Sequence, residues 1–322
     1  MPQNQNHYLK RKKWIAAIVG ALSRDTTLPM AFTRYDGRGF IGAQDDTVTW
    51  KLPGMTKARE YEWRTRTNPI VLDMITRTSV SIKLDTHVVS AVPITDEENT
   101  LDLTSYAEEV LLPQKEAVVE FLEGRTKAAL ANIPFAGNPI DAAEADDPYK
   151  WALAVNAKLN KQGTPRTNRR LLVGSNAFGW LAQSDQLRQY DPGQARTAFR
   201  QATLGTIANL EIVDGSLALG ENDIYAVHPS AMVIANLAPV VAQGAVWGVR
   251  ANHNGWSMRL QRSFDANWER DRSVLSSFAG WSSVNDEYQR ETDGSVSLDG
   301  EGFPILTQKN ARGAKGTFTP TV

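Results

Sequence analysis

Residues 101–130, LDLTSYAEEVLLPQKEAVVEFLEGRTKAAL, hold the strongest helical periodicity in the chain. Tyr106, Val110, Pro113, Ala117, Phe121, Gly124 and Ala128 recur at spacings of three and four, and Leu111, Val118, Leu122 and Ala129 widen that stripe. Asp102 or Thr104 can cap its start. Pro113 lacks a backbone donor and crowds the preceding turn, so a kink or a break into two helices is expected there. The pattern predicts a long bent helix lying on a sheet.

The strands that precede it are written in period two. TVTWKL, residues 47–52, places Val48, Trp50 and Leu52 on one face, and SVSIKLDTHVV, residues 79–89, places Val80, Ile82, Leu84 and Val88 on one face against Ser81, Lys83, Asp85 and His87. Residues 40–92 therefore read as a long two-armed hairpin whose tip holds KAREYEWRTRTN, residues 57–68. A two-stranded ribbon is marginal in water, so the rest of the chain or a neighbouring copy must cover it. Its tip mixes charge of both signs with two rings. Glu60 and Glu62 among the arginines would repel phosphates, so a protein partner suits it better than a nucleic-acid strand.

Ahead of the hairpin runs an arm, in which Lys10 to Lys13 precede the apolar WIAAIVGAL. That order imitates a secretion signal, but the apolar run is short and no small-x-small site follows, so an amphipathic arm helix is the expectation. After residue 130, the turn-rich IPFAGNPIDAAEADDP (133–148) marks a boundary. A helix over 149–163 stopping at Gly163, a buried strand RRLLVG (169–174) and a helix from SNAFGWLAQSDQL capped by Ser175 come next. Two short strands, IANLEIVDG (207–215) and NDIYAVHPS (222–230), follow. AMVIANLAPVV (231–241) is apolar but ambiguous between helix and strand. Residues 245–284 read as a β-meander, and 290–322 as a partly extended tail.

Composition excludes much chemistry. There is no cysteine, which removes disulfides, thiolate nucleophiles and Cys-type metal sites. The four histidines, at 7, 87, 228 and 253, have no paired-ligand spacing, with His253 in an expected turn. No phosphate-binding glycine motif or nucleophile elbow occurs. No catalytic, cofactor or metal site is expected. A net charge of -1 gives no general attraction to nucleic acid, and no window approaches the roughly 20 apolar residues of a spanning helix, so no membrane partner is expected.

The order of arm, long hairpin, long helix, inserted α/β segment and returning strands resembles the major capsid protein of tailed bacteriophages, the Hong Kong ninety-seven type shell fold. Residues 79–130 look like the returning arm of the extended loop and the spine helix. Residues 168–187 and 204–232 resemble the axial domain, and SVLSSFAGWSSV (273–284) the closing peripheral strand. The resemblance implies an α+β fold with an N-terminal arm (1–37), extended hairpin loop (38–95), peripheral domain with spine helix (96–135), inserted axial domain (136–244), peripheral return strands (245–285) and C-terminal tail (286–322).

It further implies a structural role, not an enzymatic one: self-assembly into an icosahedral shell around phage DNA, located in the virion and assembled in the host cytoplasm. Implied partners are many copies of the chain in pentamers and hexamers, a portal, packaged double-stranded DNA held non-specifically on the inner face, and a decoration protein in some particles. A separate scaffolding protein is expected because no long charged helical extension precedes the arm. Inter-subunit contact candidates are Arg59, Glu60, Tyr61, Glu62, Trp63, Arg64 and Arg66 of the loop, with Trp14 of the arm, since rings supply area and arginines bidentate pairing. Pro113 and Gly124 are candidates for bending of the spine helix. No covalent cross-link between subunits is expected. The alternatives are an α/β enzyme without a recognisable motif and a minor virion component.

Overall fold

The computed structural model describes residues 11–36, 47–51, 64, 79–95, 106–137, 139–183, 206–253, 255–286, 289, 297, 305 and 307–320. Among them no helix is long and apolar enough to cross a membrane. The elements are α1 (Arg11–Asp25), β1 (Thr33–Asp36), β2 (Thr47–Lys51), β3 (Ser79–Lys83), β4 (Thr86–Ile94), α2 (Leu112–Ala131), β5 (Ala142–Ala143), α3 (Pro148–Gln162), β6 (Arg170–Val173) and α4 (Ser175–Ala182). They continue with β7 (Thr206–Ile207), β8 (Leu210–Asp214), β9 (Asp223–Val227), β10 (Met232–Leu237), β11 (Trp247–His253), β12 (Trp256–Asp265), β13 (Arg270–Ser283) and β14 (Gly313–Thr319).

The first sheet is organised by β13. Residues 271–276 pair with both β4 and β12, while 278 and 279 pair with both β4 and β10. Hence β4 occupies one edge of β13, and β12 and β10 follow each other along the other. β11 extends the sheet beyond β12 and β1 lies parallel to β10. Both α1 and α2 cover it: Ile15, Ile18, Val19 and Leu22 of α1, and Val118, Val119, Leu122 and Leu130 of α2, share a core with Leu260, Leu275 and Ala279 of the strands. The α1 spacings of three, one and three define one buried face, as in an amphipathic helix.

The second sheet runs β5-β14-β9-β6-β8-β7. α3 and α4 supply its second layer, with Trp151, Val155, Leu159, Trp180 and Leu181 against Leu171, Val173, Ile224 and Phe318. Trp180 sits between the Trp151 and Phe318 rings, each centroid 5.4 Å away. α3 has defined ends. Asp147 accepts from the amides of Tyr149 (2.9 Å) and Lys150, and Gly163 takes the left-handed conformation at φ 81° that lets the chain leave the helix.

Several sequence expectations are corrected here. The single strand over 79–89 is broken at Leu84–Asp85, because β3 belongs to a two-stranded ribbon with β2 and β4 pairs with β13. The strand over 207–215 is a hairpin: Ala208 and Asn209, both at positive φ, form the two-residue turn between β7 and β8. Gly174 rather than Ser175 caps α4, since a β-carbon there would lie 2.0 Å from the Gly220 carbonyl. Ambiguous 231–241 resolves as β10, and His253 ends β11 opposite Trp256 instead of forming a turn.

The expected helical stripe is buried only in part: Val110, Leu111, Val118 and Leu122 are buried, whereas Pro113, Ala117, Phe121, Gly124 and Ala128 are exposed. α2 buries Gln114, Lys115, Val118, Val119, Leu122, Glu123, Thr126 and Leu130, and four of those eight side chains are polar, so hydrophobic spacing could not mark the whole buried face. Finally, the expected tail contributes β14, an interior strand between β5 and β9. Its glycines make room: a β-carbon on Gly316 would lie 2.5 Å from the Ile140 backbone.

Candidate assembly surfaces

The surfaces of the fold are carried by a frame of packed elements. The frame begins where α2 meets its neighbours, and each polar residue on its buried face has a partner. Gln114 donates to the carbonyls of Ser90 (3.0 Å) and Ser273 (3.1 Å) and accepts from the Ser273 hydroxyl (2.9 Å), which ties the helix to β4 and β13 together. The next residue, Lys115, pairs with Asp25 at the end of α1. Glu123 accepts from the amides of Thr27 and Leu28 in the segment after α1. Thr126 accepts the indole N–H of Trp281 at 3.1 Å, while Arg125 lies over the Trp281 ring. Buried polar groups are tolerated when satisfied in this way, and the pairings fix the rotation of the helix.

A second frame element is the crossover from the second sheet to the first, residues 228–231. His228 Nδ1 lies 2.6 Å from the Ser230 hydroxyl, which also accepts from Arg312 at 2.5 Å. Arg312 pairs with Asp286, and Asn310 donates to the Ala231 carbonyl at 2.8 Å. Burial lowers the His228 pKa, and Arg312, Arg169 and Arg170 lower it further, so the ring is neutral at physiological pH. Beside the second sheet Arg169 is buried against Pro165, Asn156, Asn160 and Thr164, without a carboxylate partner among the described residues. The Arg312 and Asn310 contacts tie together segments distant in sequence. Among the described residues no cluster of His, Asp and Glu could hold a metal ion.

The contact candidates distribute unevenly. Arg64 is an exposed turn residue. Arg59, Glu60, Tyr61, Glu62, Trp63 and Arg66 lie outside the described residues. Trp14 lies in α1. Pro113 occupies the first turn of α2, after a widened π turn at Ala107–Leu111, and Gly124 lies on the exposed side with nothing within 4 Å of where its β-carbon would be.

Three surface features escaped the sequence reading. Leu112 and Phe121 are exposed on the outer side of α2 among Glu108, Glu109, Glu116 and Glu120. Phe264 and Trp268 are exposed around the β12–β13 turn, Trp268 with Arg270 over its ring. Val240 and Val246 stand out from the loop between β10 and β11. Nothing in a linear pattern marks them, since each looks like an ordinary core residue.

No protein-family model matches the sequence, and no curated protein matches it. Solved structures do resemble the model. A chain from Mycobacterium phage Che8 is 16% identical, with 91% of this chain and 90% of that one covered at a TM-score of 0.58. The capsid of Cyanophage P-SCSP1u is 10% identical, covering 87% and 85% at 0.53. The mature capsid of bacteriophage PhiM1 is 11% identical, covering 91% and 87% at 0.52. Over 87–91% of its length, the chain has the fold of these phage chains.

Proposed function

We propose that this chain is the major capsid protein of a tailed bacteriophage, a structural subunit that assembles in many copies into an icosahedral shell around double-stranded DNA. The observation that carries this reading is the two-way coverage: about nine-tenths of the chain aligns with about nine-tenths of the phage capsid chains. A shared local unit would not extend so far in both directions.

In this reading the mechanism is association through modest contacts repeated by symmetry, so that closure stabilises what no single contact could. The ribbon of β2 and β3 projects the 57–68 segment to a neighbouring subunit, where Arg59, Arg64 and Arg66 pair with carboxylates and Tyr61 and Trp63 cover apolar surface. Trp14 joins the arm to that contact. Pro113 and Gly124, both on the unpacked side of α2, are where the helix bends as the shell matures. Pentamers and hexamers, a scaffolding protein, a portal and the packaged DNA are its partners, and a decoration protein binds outside. Assembly takes place in the host cytoplasm.

Negative-stain electron microscopy of the purified protein, alone and co-expressed with a candidate scaffolding protein, tests the proposal. Closed shells, tubes, or rings of five and six are expected. A strictly monomeric or dimeric species in both preparations would overturn it.

A further inference from the structure

The loop between β10 and β11, residues 238–246, is held from beneath in an unusual manner. Arg250 of β11 and Arg259 of β12 stand directly opposite each other in the antiparallel register. Like charges in that position repel and weaken a sheet. Here neither has a carboxylate partner among the described residues; Arg250 donates to the Ala238 carbonyl and Arg259 to the Val240 carbonyl, both at 2.7 Å. Burial and the neighbouring Arg250 also hold Arg259 below the usual arginine pKa. Gln261 adds a third tie, accepting from the Ala242 amide at 3.3 Å. Val241 fills the space beside Gly248, where a β-carbon would meet it at 2.5 Å.

What this support presents is uncharged and apolar. From residue 224 to 249 there is no Asp, Glu, Lys or Arg. Burial accounts for that along β9 and β10, but not in the loop, where Val240 is 75% and Val246 68% exposed. A like-charge pair maintained in order to fix a loop, together with two valines turned to water, costs stability within the isolated subunit. A contact outside the subunit offsets that cost.

Charge decides the partner. Where copies meet about a symmetry axis, the residues closest to the axis approach their own equivalents, so a charge there would face its like. A fixed segment without charge is self-complementary in that setting. We propose that residues 238–246 form a contact between copies of this chain at a symmetry axis, the same loop meeting from each subunit. This rests on the shell-forming reading above.

The absence of cysteine makes the test direct. Val240→Cys and Val246→Cys, each as the sole cysteine, are assembled into shells and treated with a mild oxidant. Disulfide-linked dimers are expected on non-reducing gels from shells and not from unassembled subunits. Leu217→Cys, on a different loop and 60% exposed, controls for random collision and should stay monomeric. Val240→Asp should leave the subunit folded by circular dichroism and lower shell yield by about tenfold or more, because the penalty repeats at every axis. Shells in which neither cysteine cross-links, with Val240→Asp assembling like wild type, would overturn the contact and leave the capsid reading standing. A wild-type chain that forms no shells under any condition would take down both.

Discussion

Glu123 accepts the amide of Leu28 through both carboxylate oxygens, at 3.2 Å each, and so fastens the middle of α2 to the chain leaving α1. The carboxyl is buried, and a smaller side chain would take its oxygens away from the amides of Thr27 and Leu28. Glu123→Ala should cost about 2–4 kcal/mol, because buried donors are left unpaired, and Glu123→Gln about 1 kcal/mol, because one acceptor remains. Urea unfolding of the soluble subunit measures both.

The same residue gives a pH dependence with a defined sign. Burial raises its pKa above the ordinary glutamate value, outweighing the hydrogen bonds from Thr27 and Leu28 that lower it. The folded chain therefore holds this proton more tightly than the unfolded one. Its contribution is fully present below the unfolded value of about 4.3 and is lost as pH rises through the higher folded value. Wild-type stability minus that of Glu123→Gln should fall as pH rises from about 4. A difference that stays flat or grows contradicts this.

Two glycines should respond in opposite directions. A β-carbon on Gly280 of β13 would lie 2.0 Å from the Lys83 carbonyl, at the break between β3 and β4. Gly280→Ala must push the ribbon away from the sheet and should cost about 3 kcal/mol or yield insoluble protein. Gly124→Ala meets nothing and should add about 0.5–1 kcal/mol through helix propensity. Paired thermal melts distinguish the two.

Asp147 caps α3 by accepting from Tyr149 and Lys150. Asp147→Ala should lower stability by about 1 kcal/mol, and Asp147→Ser should restore most of it. Equal losses in the two variants would show that the cap is not the cause.

Arg169 spreads one guanidinium over five acceptors: the carbonyls of Asn156, Thr164 and Pro165 and the side-chain oxygens of Asn156 and Asn160. Lysine has three donors on one atom and cannot reach them all. Arg169→Lys should cost about 2–3 kcal/mol, with hydrogen exchange accelerating first in α3. Unchanged exchange there would remove the bracing role from Arg169.

How much of this was legible follows from what each pattern reports. Period two located β2 and β3, runs separated by turn residues located the β11–β13 meander, the glycine stop placed the end of α3, and the missing cysteine excluded disulfides outright. The order of elements was enough to suggest the shell fold. Local patterns fix these because an exposed strand or a helix end must solve its own hydrogen bonding.

The tertiary structure decided the rest. Hydrophobic spacing found Val118 and Leu122 on the buried face of α2 but also chose the exposed Phe121, and it missed Gln114, Lys115, Glu123 and Thr126, whose tertiary partners lie 24 to 159 residues away. β14 reads as a polar tail until Ile140 and Phe135 are seen against its glycines. Val240 and Val246 look like core residues until Arg250 and Arg259 are seen holding their loop open to solvent. Sequence alone located most helices and strands, since those depend largely on neighbours along the chain, but not the break at Leu84–Asp85, the β7–β8 hairpin or β14. Which face is buried, and which apolar residues are left for a partner, depended on contacts between distant residues that no local period records.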